Sequence, residues 1–225
     1  KRLLQSPTDD DIEIQKSNII MVGQTGTGKT LAFMLPLLQN LKFSKQKNPR
    51  ILVLVPTREL VVQVVENIKA LTAYMTLRIH GIYGGVNINT QKQDLHDGSD
   101  IVVATPGRLY DLALCRAISL KSINKLVIDE VDVMLDLGFR FQLTNLFELI
   151  QEKRQNMLFS ATMTDDIEEL INDFFIAPEK VSVAVTGTPL DNIAQSAYAV
   201  KNFHTKANLL SHLIKDKSEF AKTLI

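Results

Sequence analysis

Two groups of residues in this chain could act on a phosphoryl group. The first, Gly23-Gln24-Thr25-Gly26-Thr27-Gly28-Lys29-Thr30, has the spacing G-x-x-x-x-G-K-[ST]. Gly26 and Gly28 let the backbone curl until successive N–H groups converge on phosphate oxygens. A helix starting near Lys29 turns its positive end toward the same anion. In that arrangement the Lys29 ammonium reaches the β- and γ-phosphates of a nucleotide such as ATP, and the Thr30 hydroxyl ligates Mg2+. The second group is Asp129-Glu130, two acids that abruptly end the apolar run Leu126-Val127-Ile128. A hard cation such as Mg2+ takes carboxylate and water oxygens, which suits Asp129. Glu130 is then placed to orient or deprotonate an attacking water.

These side chains need a scaffold, and the apolar pattern describes one. Short runs apolar at consecutive positions occur at Asn18–Val22, Ile51–Val55, Ile101–Ala104, Leu126–Ile128 and Met157–Phe159. Strands of a parallel sheet covered on both faces read this way. Between them lie helical stripes: Leu31, Met34, Leu38 and Leu41 after the phosphate loop, with a kink expected at Pro36, then Val61, Val64, Val65, Ile68 and Leu71. A later helix is expected to open with Thr164 as its N-cap and Asp165 and Asp166 at its positive end. Ile167, Leu170, Ile171 and Phe174 form its inner face. Alternating strands and helices imply a doubly wound α/β sheet with ligands beyond the carboxyl ends of its strands. The pattern runs to about Val185, and Thr186-Gly187-Thr188-Pro189 reads as the start of a linker. Beyond it a helix is expected at about 205–215 and a strand start at Thr223.

Composition narrows the classes. The 225 residues are 45% hydrophobic and 22% charged, which excludes a disordered or collagen-like chain. Lys+Arg 25 balance Asp+Glu 25, so nucleic-acid binding would need a local basic groove rather than bulk charge. The single cysteine, Cys115, can form no internal disulfide and is expected to be a buried or half-buried apolar residue in a reducing compartment, the cytoplasm. No run approaches the length of a membrane helix. The chain starts without Met and ends within the apolar Thr223-Leu224-Ile225, as a fragment of something longer would.

Further polar clusters complete a pattern. The chain closely resembles the N-terminal RecA-like domain of DEAD-box ATP-dependent RNA helicases. The resemblance rests on residues 23–30, Pro56-Thr57-Arg58-Glu59-Leu60, Gly84-Gly85, Thr105-Pro106-Gly107-Arg108, Asp129-Glu130-Val131-Asp132 and Ser160-Ala161-Thr162, all in the family's order. It implies a RecA-like P-loop NTPase fold, a mostly parallel sheet with helices on both faces, over residues 1–185. It also implies a linker at 186–193 and a truncated opening of a second RecA-like domain at 194–225.

The resemblance assigns three roles. Lys29, Thr30, Asp129 and Glu130 would hold and activate Mg2+-ATP. Pro56, Thr57, Arg58, Gly84, Gly85, Thr105, Pro106, Gly107 and Arg108 would bind the RNA sugar-phosphate backbone. Ser160 and Thr162, hydrogen-bonded with Asp132, would couple the nucleotide to RNA strain. Independently of the resemblance, Arg58 and Arg108 can pair with phosphates, and the helix starts beside them offer N–H donors. Contacts of this kind read no base edges and so tolerate any sequence.

The chain departs from the family pattern in places. Val131 stands where the family has Ala. Gln5 lies near the expected distance of an adenine-reading glutamine but lacks its usual context. The second domain's arginine fingers would lie beyond Ile225, leaving the fragment nearly inactive alone. An ATP-gated RNA clamp and a DNA-directed helicase are the competing readings. His80, His96, His204 and His212 share no metal-ligand spacing, and Lys42, Lys45, Lys47 and Arg50 read as a solvated loop.

Overall fold

The computed structural model describes residues 18–23, 28–182, 194, 196–218 and 220–224. Gln5, Gln24, Thr25, Gly26 and Thr27 lie outside them. The chain divides into two compact units, one ending at Gly187 and the other beginning at Thr188.

The first unit is a parallel sheet of seven strands: β1 (Ile19–Val22), β2 (Ile51–Leu54), β3 (Ile79–Ile82), β4 (Ile101–Ala104), β5 (Lys125–Ile128), β6 (Gln155–Ser160) and β7 (Glu179–Ser182). Their order is β3-β4-β2-β5-β6-β1-β7. The register is even, with Leu54 beside both Ala104 and Ile128, Ala104 beside Ile82, and Val22 beside Ser160. The strands therefore release the chain along one common edge.

Period-two alternation splits the core. Val53, Val103, Val127, Met157 and Phe159 face α1 (Lys29–Gln39) and α2 (Arg58–Leu71), where Phe33, Met34, Leu37, Val61, Val64 and Ile68 meet them. The opposite face carries Leu52, Leu54, Val102, Leu126, Ile128 and Leu158. It is covered by α4 (Pro106–Leu114), α5 (Val131–Asp136), α6 (Arg140–Leu149) and α7 (Asp165–Phe174). The short α3 (Ile88–Asp94) follows β3.

Several expectations are corrected. The inner stripe of α1 is Phe33, Met34, Leu37 and Leu38, while Leu31 points outward. Pro36 lies inside the helix, where the sequence places it, and the helix continues to Gln39. Leu71 is exposed at the end of the α2 stripe. Thr164 occupies the N-cap of α7, but its hydroxyl makes no capping bond. Cys115 is exposed at the C-cap of α4. In the second unit α8 (Phe203–Leu213) is capped by the Asn202 side chain, which accepts from the Thr205 N–H at 2.9 Å, and residues 220–224 contain no strand. Among the described residues, no helix is long and apolar enough to cross a membrane.

The loop expected to be solvated turns its last residue inward. Arg50 and Arg78, just before β2 and β3, converge on the buried carboxylate of Asp100, just before β4. The separations are 3.2 Å from Arg50 Nη2 and 3.0 Å from Arg78 Nε. The Arg78 backbone N–H also donates to Asp100, at 3.0 Å. One carboxylate thus clamps the amino ends of three adjacent strands. Burial pushes the Asp100 carboxyl upward, but the hydrogen bonds and charge of Arg78, with Arg50, outweigh it and hold it below the ordinary range. A carboxyl held low contributes stability that is complete above the ordinary value of about 4 and is lost as pH falls through the lowered folded value. Asp100→Asn should therefore cost about 1–3 kcal/mol in urea unfolding at pH 7. The deficit should shrink as the wild type is acidified below about pH 4.

Candidate nucleotide and nucleic-acid site

The common carboxyl edge carries every described residue that the sequence assigns to nucleotide, RNA or coupling, sorted by strand. Toward β1, β6 and β5 it holds Gly23, Lys29 and Thr30, then Ser160 and Thr162, then Asp129, Glu130 and Asp132. Toward β2, β4 and β3 it holds Pro56–Arg58, Thr105–Arg108 and Gly84-Gly85.

Gly28, Lys29, Thr30, Asp129 and Glu130 line one cavity of about 370 Å3. Among the described residues its remaining wall is α2, through Leu60, Gln63, Val64 and Asn67. Spacing of i, i+3, i+4, i+7 puts those four on one helical stripe, and sequence reasoning passed over the two polar ones. Gly28 sits at φ +86 at the start of α1, a conformation costly for a side chain. Lys29 is buried, and its Nζ donates to the Gly23 carbonyl at 2.8 Å.

Asp129 is 7% exposed. Its Oδ1 accepts the Glu130 backbone N–H at 3.0 Å. Burial raises its carboxyl to about 6, against the nearby Lys29 ammonium, and the neighbouring Glu130 and Asp132 charges add to the rise. A buried carboxylate lining the same cavity as Thr30 fits a small hard cation. Among the described residues no group of three or more His, Cys, Asp or Glu forms a metal cage. Mg2+ is commonly held by one or two carboxylates together with the phosphates of its substrate, a donor set that a single carboxylate such as Asp129 fits. Glu130 itself has φ +54, rare for a residue with a side chain, where β5 gives way to α5. Strain of this kind gathers at functional positions.

Asp132 Oδ2 accepts from the N–H groups of Ala161 and Thr162, both at 3.1 Å, and from Thr162 Oγ1 at 3.2 Å. It ties the end of β5 to the end of β6. Ser160 is not in this group, a correction to the expected pairing. It is the last residue of β6, fully buried, and its hydroxyl has no partner among the described residues.

At the other end of the edge, the Thr57 hydroxyl caps α2 by accepting from the Leu60 N–H at 3.3 Å. The α4 helix starts with Pro106 and has no side-chain cap, so its first N–H groups point outward. The Arg58 guanidinium lies 5.3 Å above the Tyr83 ring and makes no hydrogen bond or ion pair among the described residues. Arg108, expected to face phosphate, uses Nη1 on the Val86 carbonyl and on Gln91 Oε1, both at 2.9 Å.

A parallel sheet with a phosphate loop at β1 and an acidic pair at β5 defines a P-loop nucleotide-binding domain. The chain belongs to the DEAD/DEAH box helicase family, whose profile matches residues 4–170. Three curated relatives illustrate the likeness. DEAD-box ATP-dependent RNA helicase 30 of Arabidopsis thaliana is 35% identical over 92% of this chain and 36% of its own length. The DEAD-box ATP-dependent RNA helicase CshA of Streptococcus pneumoniae is 37% identical over 88% of this chain and 38% of its own. The ATP-dependent rRNA helicase RRP3 of Meyerozyma guilliermondii is 40% identical over 90% and 42%. Among solved structures, the yeast DEAD-box splicing factor Prp28 matches at a TM-score of 0.73 and 30% identity, over 89% of this chain and 48% of that one. A hypothetical ATP-dependent RNA helicase from Sulfolobus tokodaii matches at 0.68 and 34%, over 76% and 49%. The chain thus spans about two-fifths of these curated relatives. The RecA-like fold is that of these neighbours.

The raised Asp129 carboxyl has a cost. Ionised, it opposes folding; the penalty is absent below the ordinary value of about 4 and complete above the folded value of about 6. In EDTA at pH 7.5, Asp129→Asn should raise unfolding stability by about 1–3 kcal/mol. The Asn oxygen can still accept the Glu130 N–H. The gain should fade toward pH 4.5, and a variant equally stable or weaker at pH 7.5 would refute the account.

Proposed function

We propose that the first unit binds Mg2+-ATP at the β1–β5 end of its sheet edge and the RNA backbone at the β2–β3 end. Together with a second RecA-like domain of a longer protein, it would couple ATP hydrolysis to local separation of RNA duplexes. The observation that carries this is the gathering of Lys29, Thr30, Asp129 and Glu130 around one cavity whose other wall is α2. The N-terminus of that same helix holds Thr57 and Arg58. One rigid helix therefore touches both proposed ligands.

In this reading the residues 23–30 cradle the phosphates, with Lys29 leaving the Gly23 carbonyl for the β- and γ-phosphate oxygens. Thr30 and Asp129 hold Mg2+, which when bound neutralises charge on those oxygens. Glu130 orients the attacking water and accepts its proton. Pro56, Thr57, Arg58, Gly84, Gly85, Thr105, Pro106 and Gly107 offer N–H groups, bare backbone and one free guanidinium to the RNA backbone, and Arg108 belongs to the same surface. The names of the curated relatives support RNA over DNA as the nucleic acid. Residues 194–225 would open the second domain after a linker at 186–193. The lone cysteine, which can form no internal disulfide, supports a cytoplasmic setting.

Glu130→Gln in the full-length protein should keep ATP and RNA binding, measured by fluorescence titration, while steady-state phosphate release stops. Loss of ATP binding instead would make Glu130 a structural or metal residue.

The hydroxyls of Ser160 and Thr162 should separate. Thr162→Val breaks the bond to Asp132 and should slow duplex unwinding several-fold while largely sparing RNA-stimulated hydrolysis. Ser160→Ala removes a buried hydroxyl without a described partner and should leave stability within about 1 kcal/mol of wild type. Equal losses of both activities in Thr162→Val would remove the coupling role.

A further inference from the structure

The turn between β3 and α3 holds Gly84 and Gly85, and its shape is not set by its own side chains. A Cβ on Gly84 would meet nothing within 4 Å, and Gly85 sits at φ +83 with only Arg58 Nη1 nearby, at 3.8 Å. Bare backbone of this kind has much conformational freedom unless something outside it fixes the path. Here both ends of the turn are held from outside. Gln91, buried in the first turn of α3, donates from Nε2 to the Tyr83 carbonyl at 3.2 Å. The Oε1 of that same amide accepts from Arg108 Nη1 at 2.9 Å, and Nη1 also donates to the Val86 carbonyl at 2.9 Å. One buried amide and one guanidinium nitrogen thus bracket Tyr83-Gly84-Gly85-Val86 and lock it to α4, whose first turn is Pro106-Gly107-Arg108. Both hydrogens of Nη1 are spent inside the protein. Arg58, by contrast, rests on the Tyr83 ring with its donors unpaired among the described residues.

We propose that Gln91 is a positioning residue for RNA, and that Arg108 acts through it, holding the Gly84-Gly85 turn in shape, while Arg58 is the arginine that pairs with phosphate. The proposal rests on the RNA reading above and goes beyond it by dividing the two arginines and adding a residue that touches no RNA. A buried amide satisfied at both ends rigidifies its surroundings, and neither half of such a network is worth much once the other is gone.

Salt dependence separates a phosphate contact from a clasp, because only the former releases counterions when RNA binds. The test uses the full-length protein, a labelled oligouridylate, a non-hydrolysable ATP analogue and anisotropy across a series of KCl concentrations. Gln91→Met and Arg108→Met should each weaken RNA binding about five- to tenfold, leaving the log–log salt slope and the affinity for Mg2+-ADP at wild-type values. The double variant should be no weaker than the poorer single one, as for residues acting in one unit. Arg58→Met should flatten the slope by about 0.7, the share of one phosphate on a single strand.

RNA affinity of Gln91→Met within twofold of wild type, or a flattened slope in Arg108→Met, would overturn the proposal. Should Gln91→Met fail to fold, as lost Mg2+-ADP binding would reveal, the slope of Arg108→Met alone decides. If the wild type binds oligouridylate without any salt dependence, the RNA reading itself falls and takes the clasp with it.

Discussion

A strand in a parallel sheet cannot return to its neighbour by a tight turn, so every strand must surrender its chain at the same edge. In this domain the register is so even that Ile82, Ala104, Leu54 and Ile128 stand abreast when they do so. The edge then collects backbone groups with no strand to pair with and polar residues that the buried runs cannot accommodate. Phosphate loop, acidic pair and both uncapped and capped helix starts are all products of this one constraint. Strand order decides the rest. Because β2 stands between β4 and β5, the helix that follows it is the element able to reach from one end of the edge toward the other.

Asp129, just after β5, and Asp132, in the first turn of α5, show how a carboxylate rich in donors differs from one short of them. Asp132 accepts three hydrogen bonds from a single turn and binds two strands together. Asp129 is more deeply buried, accepts one, and is pushed toward its neutral form. The strand ends beneath it are apolar, with Ile128 and Leu158 fully buried side by side. Asp100 plays the structural part at the opposite edge, where two arginines satisfy it. Stability is thus invested at the amino edge and spent at the carboxyl edge.

What could be read from sequence follows the same division. Strands β1, β2, β4, β5 and β6 announce themselves because burial on both faces demands consecutive apolar residues. Strand β3, Ile-His-Gly-Ile, does not. Its Gly81 is there because a Cβ would come within 3.0 Å of Val61 on α2, a tertiary demand invisible in a local pattern. Strand β7, Glu-Lys-Val-Ser, is exposed at all four positions and carries no apolar signal. Outward-facing Leu31 and Leu71 imitate a stripe they do not belong to. In the site, motif spacing marks Lys29, Thr30, Asp129 and Glu130 without help from coordinates. Gln63, Asn67 and Gln91 leave no comparable mark, because an amide on a helix looks like any solvated residue until its partners are known. For Arg108 the reason is complementary: charge alone does not say which way a guanidinium points, and its Nη1 turns to Val86 and Gln91.

Strand β7 also has a mechanical meaning. It is the last described element of the first unit, and among the described strands it is paired to β1 alone and buries no side chain. Any tension arriving from the C-terminal direction enters the domain there, through the element with least packing to resist it. A pull sufficient to strip four residues would bare the flank of β1, the strand that leads into the phosphate loop.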